Sequence, residues 1–280
     1  MTFDLRSLLI ALSLTLIILM GSLTIYSVTS IDIYYFLRFL LISIFAIFLV
    51  TLVFNQINLN RIISVAWILF SINLLVVLIV EIIGSEIKGS KRWIDFGFLS
   101  LQPSEFMKIT FALFAIQYLR FYNFKFNIFR SISLLLILFL SAIPIIIQPD
   151  LGTGLVYILF GLMLLFICGM HRLYFISMGF FGILLSPIIY NFGFTEYQKS
   201  RILSWFSSDQ SLSEKWNILQ SEISIGSGGL LGEGFLNSKQ NEFNFLPEAD
   251  TDFIFSIYAE QFGFSGVLFI FLLVGIFIFL

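Results

Sequence analysis

Gln148-Pro149-Asp150-Leu151-Gly152-Thr153-Gly154 joins two long uncharged runs, Ser131–Pro149 before it and Leu151–Met170 after it. Each run is long enough to cross a bilayer, which takes roughly twenty apolar residues. The junction therefore reads as a turn between two membrane helices, with Asp150 a lone carboxylate at the membrane boundary. An ionisable side chain so placed is costly to keep and marks a functional site by default. Pro149 suits the first turn of the second helix, where its missing N–H would have had no partner. Asp150 then lies beside the positive end of that helix dipole, which favours its charged form. Gly152, Thr153 and Gly154 leave room for a close approach. Two readings stand side by side here, a helix cap in a tight interhelical turn and a reactive carboxylate.

The rest of the chain agrees with a membrane setting. Hydrophobic residues make up 59% of its 280 residues and charged residues 11%, and mean hydropathy is +1.02. A soluble domain carries about 25% charged residues. The formal net charge of −2 argues against a nucleic-acid partner. A single cysteine, Cys168, rules out an intramolecular disulfide, and one histidine, His171, leaves no Cys/His set for zinc.

Apolar runs predict an all-α, polytopic transmembrane helical bundle of about eight spans. They cover Ser7–Val28, Ile33–Phe54, Ile62–Val80, Ser104–Leu119, the two runs flanking Asp150, Leu173–Thr195 and Phe262–Leu280. With a cytoplasmic N-terminus, the inner segments carry Arg6, Arg61, Arg120, Lys125, Arg130 and Arg172, with Asp4 the only acid among them. This is the positive-inside pattern, and it puts Asp150 at the outer face. Two polar outer segments follow, Glu81–Glu105 and a large loop over 196–252 between spans seven and eight. In the second, Trp205, Phe206, Trp216, Ile218, Phe243 and Phe245 could bury a face. The chain reads as one integral membrane domain over 1–280. It ends in an apolar stretch without a polar anchor, as expected of a fragment cut before further helices.

Charged residues gather near the outer face. Lys91, Arg92 and Trp93 precede Gln102-Pro103-Ser104-Glu105-Phe106-Met107-Lys108. Pro103 suits a helix start, and Glu105 and Lys108 then share one helix face at i,i+3. One reading is an ion pair beside a basic interfacial loop. The other has Lys108, Arg92 and Lys91 meeting an anionic phosphate head group, with Trp93 as interfacial anchor. The glycines of Gly226-Ser227-Gly228-Gly229-Leu230-Leu231-Gly232 could form an anion nest, although a turn is the commoner use of such a run. Thr251 reads as an N-cap, with Asp250 and Asp252 adding charge near a helix dipole.

Taken in order, KGSKRWI (88–94), QPSEF–K (102–108), QPDLGTG (148–154), YQKSRI (197–202), QSEISIGSGGLLGEGF (220–235) and NFLPEADTDFIFS (244–256) closely resemble the SEDS family of bacterial cell-wall proteins. The match runs from about Lys88 to Gly266, and the chain looks most like the family's elongation branch. The resemblance implies peptidoglycan glycosyltransferase activity on lipid II, with the growing lipid-linked glycan as acceptor. It implies a class B penicillin-binding protein, a transpeptidase, and elongation-complex membrane proteins as partners, in the bacterial cytoplasmic (inner) membrane. The family's QPD aspartate corresponds to Asp150. Its QPSE–K pair corresponds to Glu105 and Lys108, and its KRW element to Lys91, Arg92 and Trp93. Arg201, Gln220 and Ser221 match polar residues of its last outer loop. The family usually has His where this chain has Asp250, and usually about ten spans.

This gives Asp150 as general base, with Lys108, Arg92 and Arg201 clamping a pyrophosphate leaving group. Glu105 would position Lys108 or tune Asp150. Nothing in the sequence requires a cofactor, although a divalent cation, Mg or Mn, could share the pyrophosphate role. The alternatives are a lipid II transporter (flippase) and a non-catalytic scaffold of the cell-wall synthesis complex. Charges gathered at the outer face, rather than at the midplane, favour surface chemistry over transport.

Overall fold

The computed structural model describes residues 5–29, 33–56, 58–87, 90–97, 100–148, 150–193, 199, 212–238, 245–246 and 249–280. In chain order its helices are α1 (Leu5–Val28), α2 (Ile33–Gln56), α3 (Leu59–Ser64), α4 (Ala66–Ile83), α5 (Pro103–Phe121), α6 (Ile128–Ile147), α7 (Leu151–Ile167), α8 (Arg172–Ile188), α9 (Leu212–Ser227) and α10 (Ile254–Phe279). A π-helical turn, Ile189–Gly193, continues α8. Helix occupies all eight apolar runs. Among the described residues four helical segments are long and apolar enough to cross a bilayer, Leu9–Val28, Ala66–Ile83, Ile128–Ile147 and Ile254–Phe279, and shorter apolar helices accompany them. The protein is a multi-pass helical membrane protein.

The chain divides into two compact units, Leu52–Ile202 and Met1–Thr51 with Leu203–Leu280. The core of the first is a layer of Met107, Phe111, Ala115 and Leu119 from α5 against Leu134, Leu138 and Ile145 of α6 and Tyr157 and Leu165 of α7. Helix α7 buries Gly154, Tyr157, Gly161 and Leu165, while Leu155, Val156, Leu159, Met163 and Phe166 are exposed. An apolar outer face of this kind suits lipid rather than water. The close approach expected at Gly154 is made by a neighbouring helix. A Cβ there would lie 2.7 Å from Ile146 Cγ1, and one at Gly161 would collide with Leu138, whereas Gly152 faces open space. Small residues let membrane helices pack at short range.

The third predicted span is broken. Val65, at φ −108° and ψ 9°, separates α3 from α4. No Pro or Gly causes this. The Gln117 amide from α5 takes both backbone groups that the break releases, donating to Ser64 O at 2.7 Å and accepting from Trp67 N at 2.8 Å. In an apolar medium such groups must find partners inside the protein. The polar segment after α4 is also more ordered than a loop. It forms a three-stranded antiparallel sheet of order β1-β2-β3, from β1 (Ser85–Ile87), β2 (Ser90–Asp95) and β3 (Ser100–Leu101).

In the other unit α10 packs against both α1 and α9. It starts at Ile254, earlier than the predicted Phe262, and is interrupted at Gly263, where φ is 65°. The glycine-rich run answers the interruption. Phe264 N and Ser265 N donate to Gly229 O and Leu230 O, while Glu233 N and Gly234 N donate to Glu260 O and Gln261 O. Backbone this close needs glycine, and a Cβ at Gly228, Gly232 or Gly263 would collide with the facing main chain. Helix α9 turns a stripe of Gln220, Ser224 and Gly228 inward. Trp216, Ile218 and Phe245, expected to bury a face, are 48%, 48% and 43% exposed. Their apolar surface needs no water-excluding core when lipid is at hand. Trp205, Phe206 and Phe243 lie outside the described residues.

Candidate active site

Asp150 is the N-cap of α7, and its side chain accepts from Thr153 N at 3.2 Å. The helix starts at Leu151, and Pro149 lies outside the described residues. Capping accounts for Oδ1. The other oxygen, Oδ2, receives Arg92 Nη1 at 2.9 Å and Gln102 Nε2 at 2.7 Å. At 7% exposure the carboxylate is buried, and three charge-assisted bonds replace its water.

Two local structures deliver the side-chain donors. Arg92 is the extra residue of β2 where its pairing with β1 shifts, since Glu86 faces Lys91 and Ser85 faces Trp93, and such a bulge re-aims a side chain. Pro103 opens α5, and Gln102 occupies its N-cap without capping it. The amide of Gln102 instead crosses to Asp150, on the helix start 48 residues further on. Gln148, just before the turn, is tied back to Val77 O of α4 at 2.6 Å. Two Gln-Pro pairs thus stand at two helix starts, and their glutamines hold the Asp150 turn to the neighbouring helices.

Of the residues expected to act together, the structure joins Asp150 to Arg92, and separately Glu105 to Lys108. Lys108 Nζ lies 2.7 Å from Glu105 Oε2, one helix turn apart. Lys91 is exposed, and Trp93 is half-buried. Arg92 Nε is buried with no partner among the described residues. Gln220 and Ser221 belong to the other unit. Gln220 is buried and Ser221 Oγ is 2.7 Å from Ser256 Oγ of α10. Arg201 lies outside the described residues. Among the described residues no three His, Cys, Asp or Glu side chains group to hold a metal.

Two features escaped the sequence reading. Gln102 is a direct partner of Asp150, and its signal was a polar side chain at a proline-led helix start. Thr251, expected as the N-cap of α10, does not cap it, and Asp250 and Asp252 precede the helix without entering its first turn. The N-cap is Phe253 and no side chain bonds there. Asp252 is exposed and has no side-chain partner among the described residues.

A profile described as a cell cycle protein, of the FtsW, RodA and SpoVE type, matches residues 2–280. The chain belongs to this SEDS family. Among curated SEDS proteins it is 34% identical over 202 residues to peptidoglycan glycosyltransferase MrdB of Escherichia coli, covering 71% of this chain and 54% of that protein. It is 35% identical over 206 residues to stage V sporulation protein E of Bacillus subtilis, covering 72% and 56%. The chain thus spans about half the length of the curated relatives it matches. In fold it resembles a chain of a peptidoglycan synthase complex, at TM-score 0.75 and 22% identity over 99% of this chain and 76% of that one. Thermus thermophilus RodA is similar at TM-score 0.64 and 22% identity, over 96% and 71%.

Proposed function

We propose that this SEDS protein is a peptidoglycan glycosyltransferase that polymerises lipid II during cell elongation, at the outer face of the bacterial cytoplasmic membrane. A class B penicillin-binding protein is its partner. The names of the curated relatives support the reaction, and the likeness to a chain of a synthase complex supports the partnership. The observation that carries the site is the buried Arg92–Asp150–Gln102 constellation at the joined starts of α5 and α7.

The reaction joins the 4-hydroxyl of one sugar to the anomeric carbon of another and releases a lipid-linked pyrophosphate. The hydroxyl must lose a proton and the leaving group must meet positive charge. A carboxylate offers about four acceptor positions. Asp150 has three in use, which leaves one on Oδ1 for the acceptor hydroxyl. Arg92 Nε, buried and unpaired, is a donor ready for a phosphate oxygen. Lys108, beside Glu105, supplies a second cation, and Lys91 and Trp93, the neighbours of Arg92 in β2, contact the rest of the substrate. A second reading, favoured by the exposed Asp252, whose side chain has no partner among the described residues, makes that residue the base and leaves Asp150 to hold the helix starts together.

The test is polymerisation of fluorescent lipid II by the full-length protein with its penicillin-binding partner. On the first reading Asp150→Asn lowers polymer formation by about 10²–10⁴-fold, the worth of a general base, while Asp252→Asn stays active. The converse result moves the base to Asp252. No polymer from the unaltered complex, together with lipid II movement across vesicles, would replace the enzyme by a transporter.

A further inference from the structure

At the end of α5 remote from Asp150, a cavity of about 350 Å³ opens between α3 and α5, lined by Asn60, Ile63, Ser64, Gln117, Arg120 and Phe121. Nineteen helical residues separate the two ends, a distance of about 28 Å at 1.5 Å per residue. The volume lies within the range of ligand pockets, about 300–1,000 Å³.

The acceptors around this cavity are taken. Ser64 O receives Gln117 Nε2 at 2.7 Å, Gln117 Oε1 receives Trp67 N at 2.8 Å, and Asn60 Oδ1 receives Arg120 Nη1 at 2.8 Å. The donors are not. Arg120 spends one of its N–H groups on Asn60, and the amide nitrogen of Asn60 has no partner among the described residues. No acid stands near in sequence, since segments 54–66, 116–132 and 165–175 contain no Asp or Glu, yet they hold Arg61, Arg120, Lys125, Arg130 and Arg172. A ligand here must bring acceptor oxygens and negative charge. It must also cover an apolar wall, because Ile63 lines the cavity and Phe121 is 79% exposed at its rim. Free phosphate meets the first demand only. A phospholipid with an anionic head group meets both, and it arrives from the bilayer without crossing water.

We propose that the cavity between α3 and α5 binds one anionic phospholipid, its phosphate on Arg120 and Asn60 and an acyl chain along Ile63 and Phe121. The site is independent of the catalytic reading. Basic pockets between membrane helices on the cytoplasmic side take such head groups. The ligand would also brace the break at Val65, because Gln117 and Ser64 belong both to the cavity and to the repair of that break.

Native mass spectrometry of the protein in neutral detergent, with phosphatidylglycerol or phosphatidylcholine added, tests this. Phosphatidylglycerol is retained and phosphatidylcholine is not. Arg120→Gln lowers retention about fivefold, the equivalent of one basic side chain near an anionic lipid, while Lys125→Gln, outside the cavity, does not. Millimolar inorganic phosphate leaves the lipid in place. Equal retention of the two lipids, no loss in Arg120→Gln, or displacement by phosphate overturns the proposal. Photoreactive phosphatidylglycerol on the unaltered protein gives a check that no substitution can spoil. Crosslinks concentrate at 59–64 and 117–121, and labelling spread evenly over the exposed faces of α8 also overturns it.

Discussion

At the residue scale, the two oxygens of Asp150 are divided between structure and charge. Oδ1 caps α7, and Oδ2 holds Arg92 and Gln102. The donors are not equivalent. Gln102→Leu removes one hydrogen bond to a charged group and should cost about 1.5–3 kcal/mol. Arg92→Gln leaves a buried carboxylate without its cation and should cost about 3–5 kcal/mol. Because the Asp150 and Arg92 charges need each other, the double variant Asp150→Asn/Arg92→Gln should be less destabilised than the two single changes summed. Equilibrium unfolding in mixed micelles measures all four, and strict additivity would show the pair to be uncoupled. The cap, the charge and the i,i+3 partnership of Glu105 with Lys108 were all legible in local spacing. The Arg92 and Gln102 contacts were not, because each crosses between elements, and no local pattern says which remote helix start a side chain will reach.

Elements show the same division between local and remote causes. The helices follow from uninterrupted apolar runs, so their existence could be read directly. The break at Val65 could not, since Ile62–Val80 contains no helix breaker and the cause, Gln117, lies on another helix. Gln117→Leu should therefore strand Ser64 O and Trp67 N in an apolar setting. Either α3 and α4 fuse into one straight helix or stability falls by about 1–3 kcal/mol per orphaned group. Hydrogen exchange of amides 62–69 distinguishes this from no effect, which would make the Gln117 contacts incidental. The short strands escaped notice because Ser90–Asp95 shows no apolar alternation, and the sheet rests on backbone pairing. The glycine run was visible, but not its target in α10. Here the sign of a substitution separates the positions. Gly226→Ala, in open space within α9, should gain up to about 1 kcal/mol from helix propensity. Gly232→Ala, at φ 84° and against Gln261 O, should loosen the clamp at Gly263, read as faster exchange at Phe264 and Ser265. Equal behaviour of the two variants would mean that the run is only a flexible turn.

At the scale of the whole molecule, charge segregation gives the unit Leu52–Ile202 a direction. Arg61, Arg120, Lys125, Arg130 and Arg172 sit at helix ends or turns where acids are absent, while Glu81 is in the last turn of α4, Asp95 ends β2, and Glu105 and Asp150 stand at the starts of α5 and α7. Basic residues are retained on the cytoplasmic side during insertion, so the sheet and Asp150 should face outward. Two exposed positions report on this, Phe96 in the sheet segment and Lys125 between α5 and α6. Cysteines introduced there as Phe96→Cys and Lys125→Cys, with Cys168→Ser to remove the native thiol, can be challenged in intact cells with a membrane-impermeant maleimide. Position 96 should label at once and position 125 only after the membrane is opened. The two sites bracket α5, whose 19 residues rise about 28 Å, close to the roughly 30 Å of a hydrocarbon core, so a single crossing separates them. The reverse pattern would turn the Arg92–Asp150–Gln102 constellation toward the cytoplasm, and outer-face polymerisation would lose its site. Labelling at both positions in intact cells would mean that α5 does not cross the membrane, and the direction read from charge would fall with it.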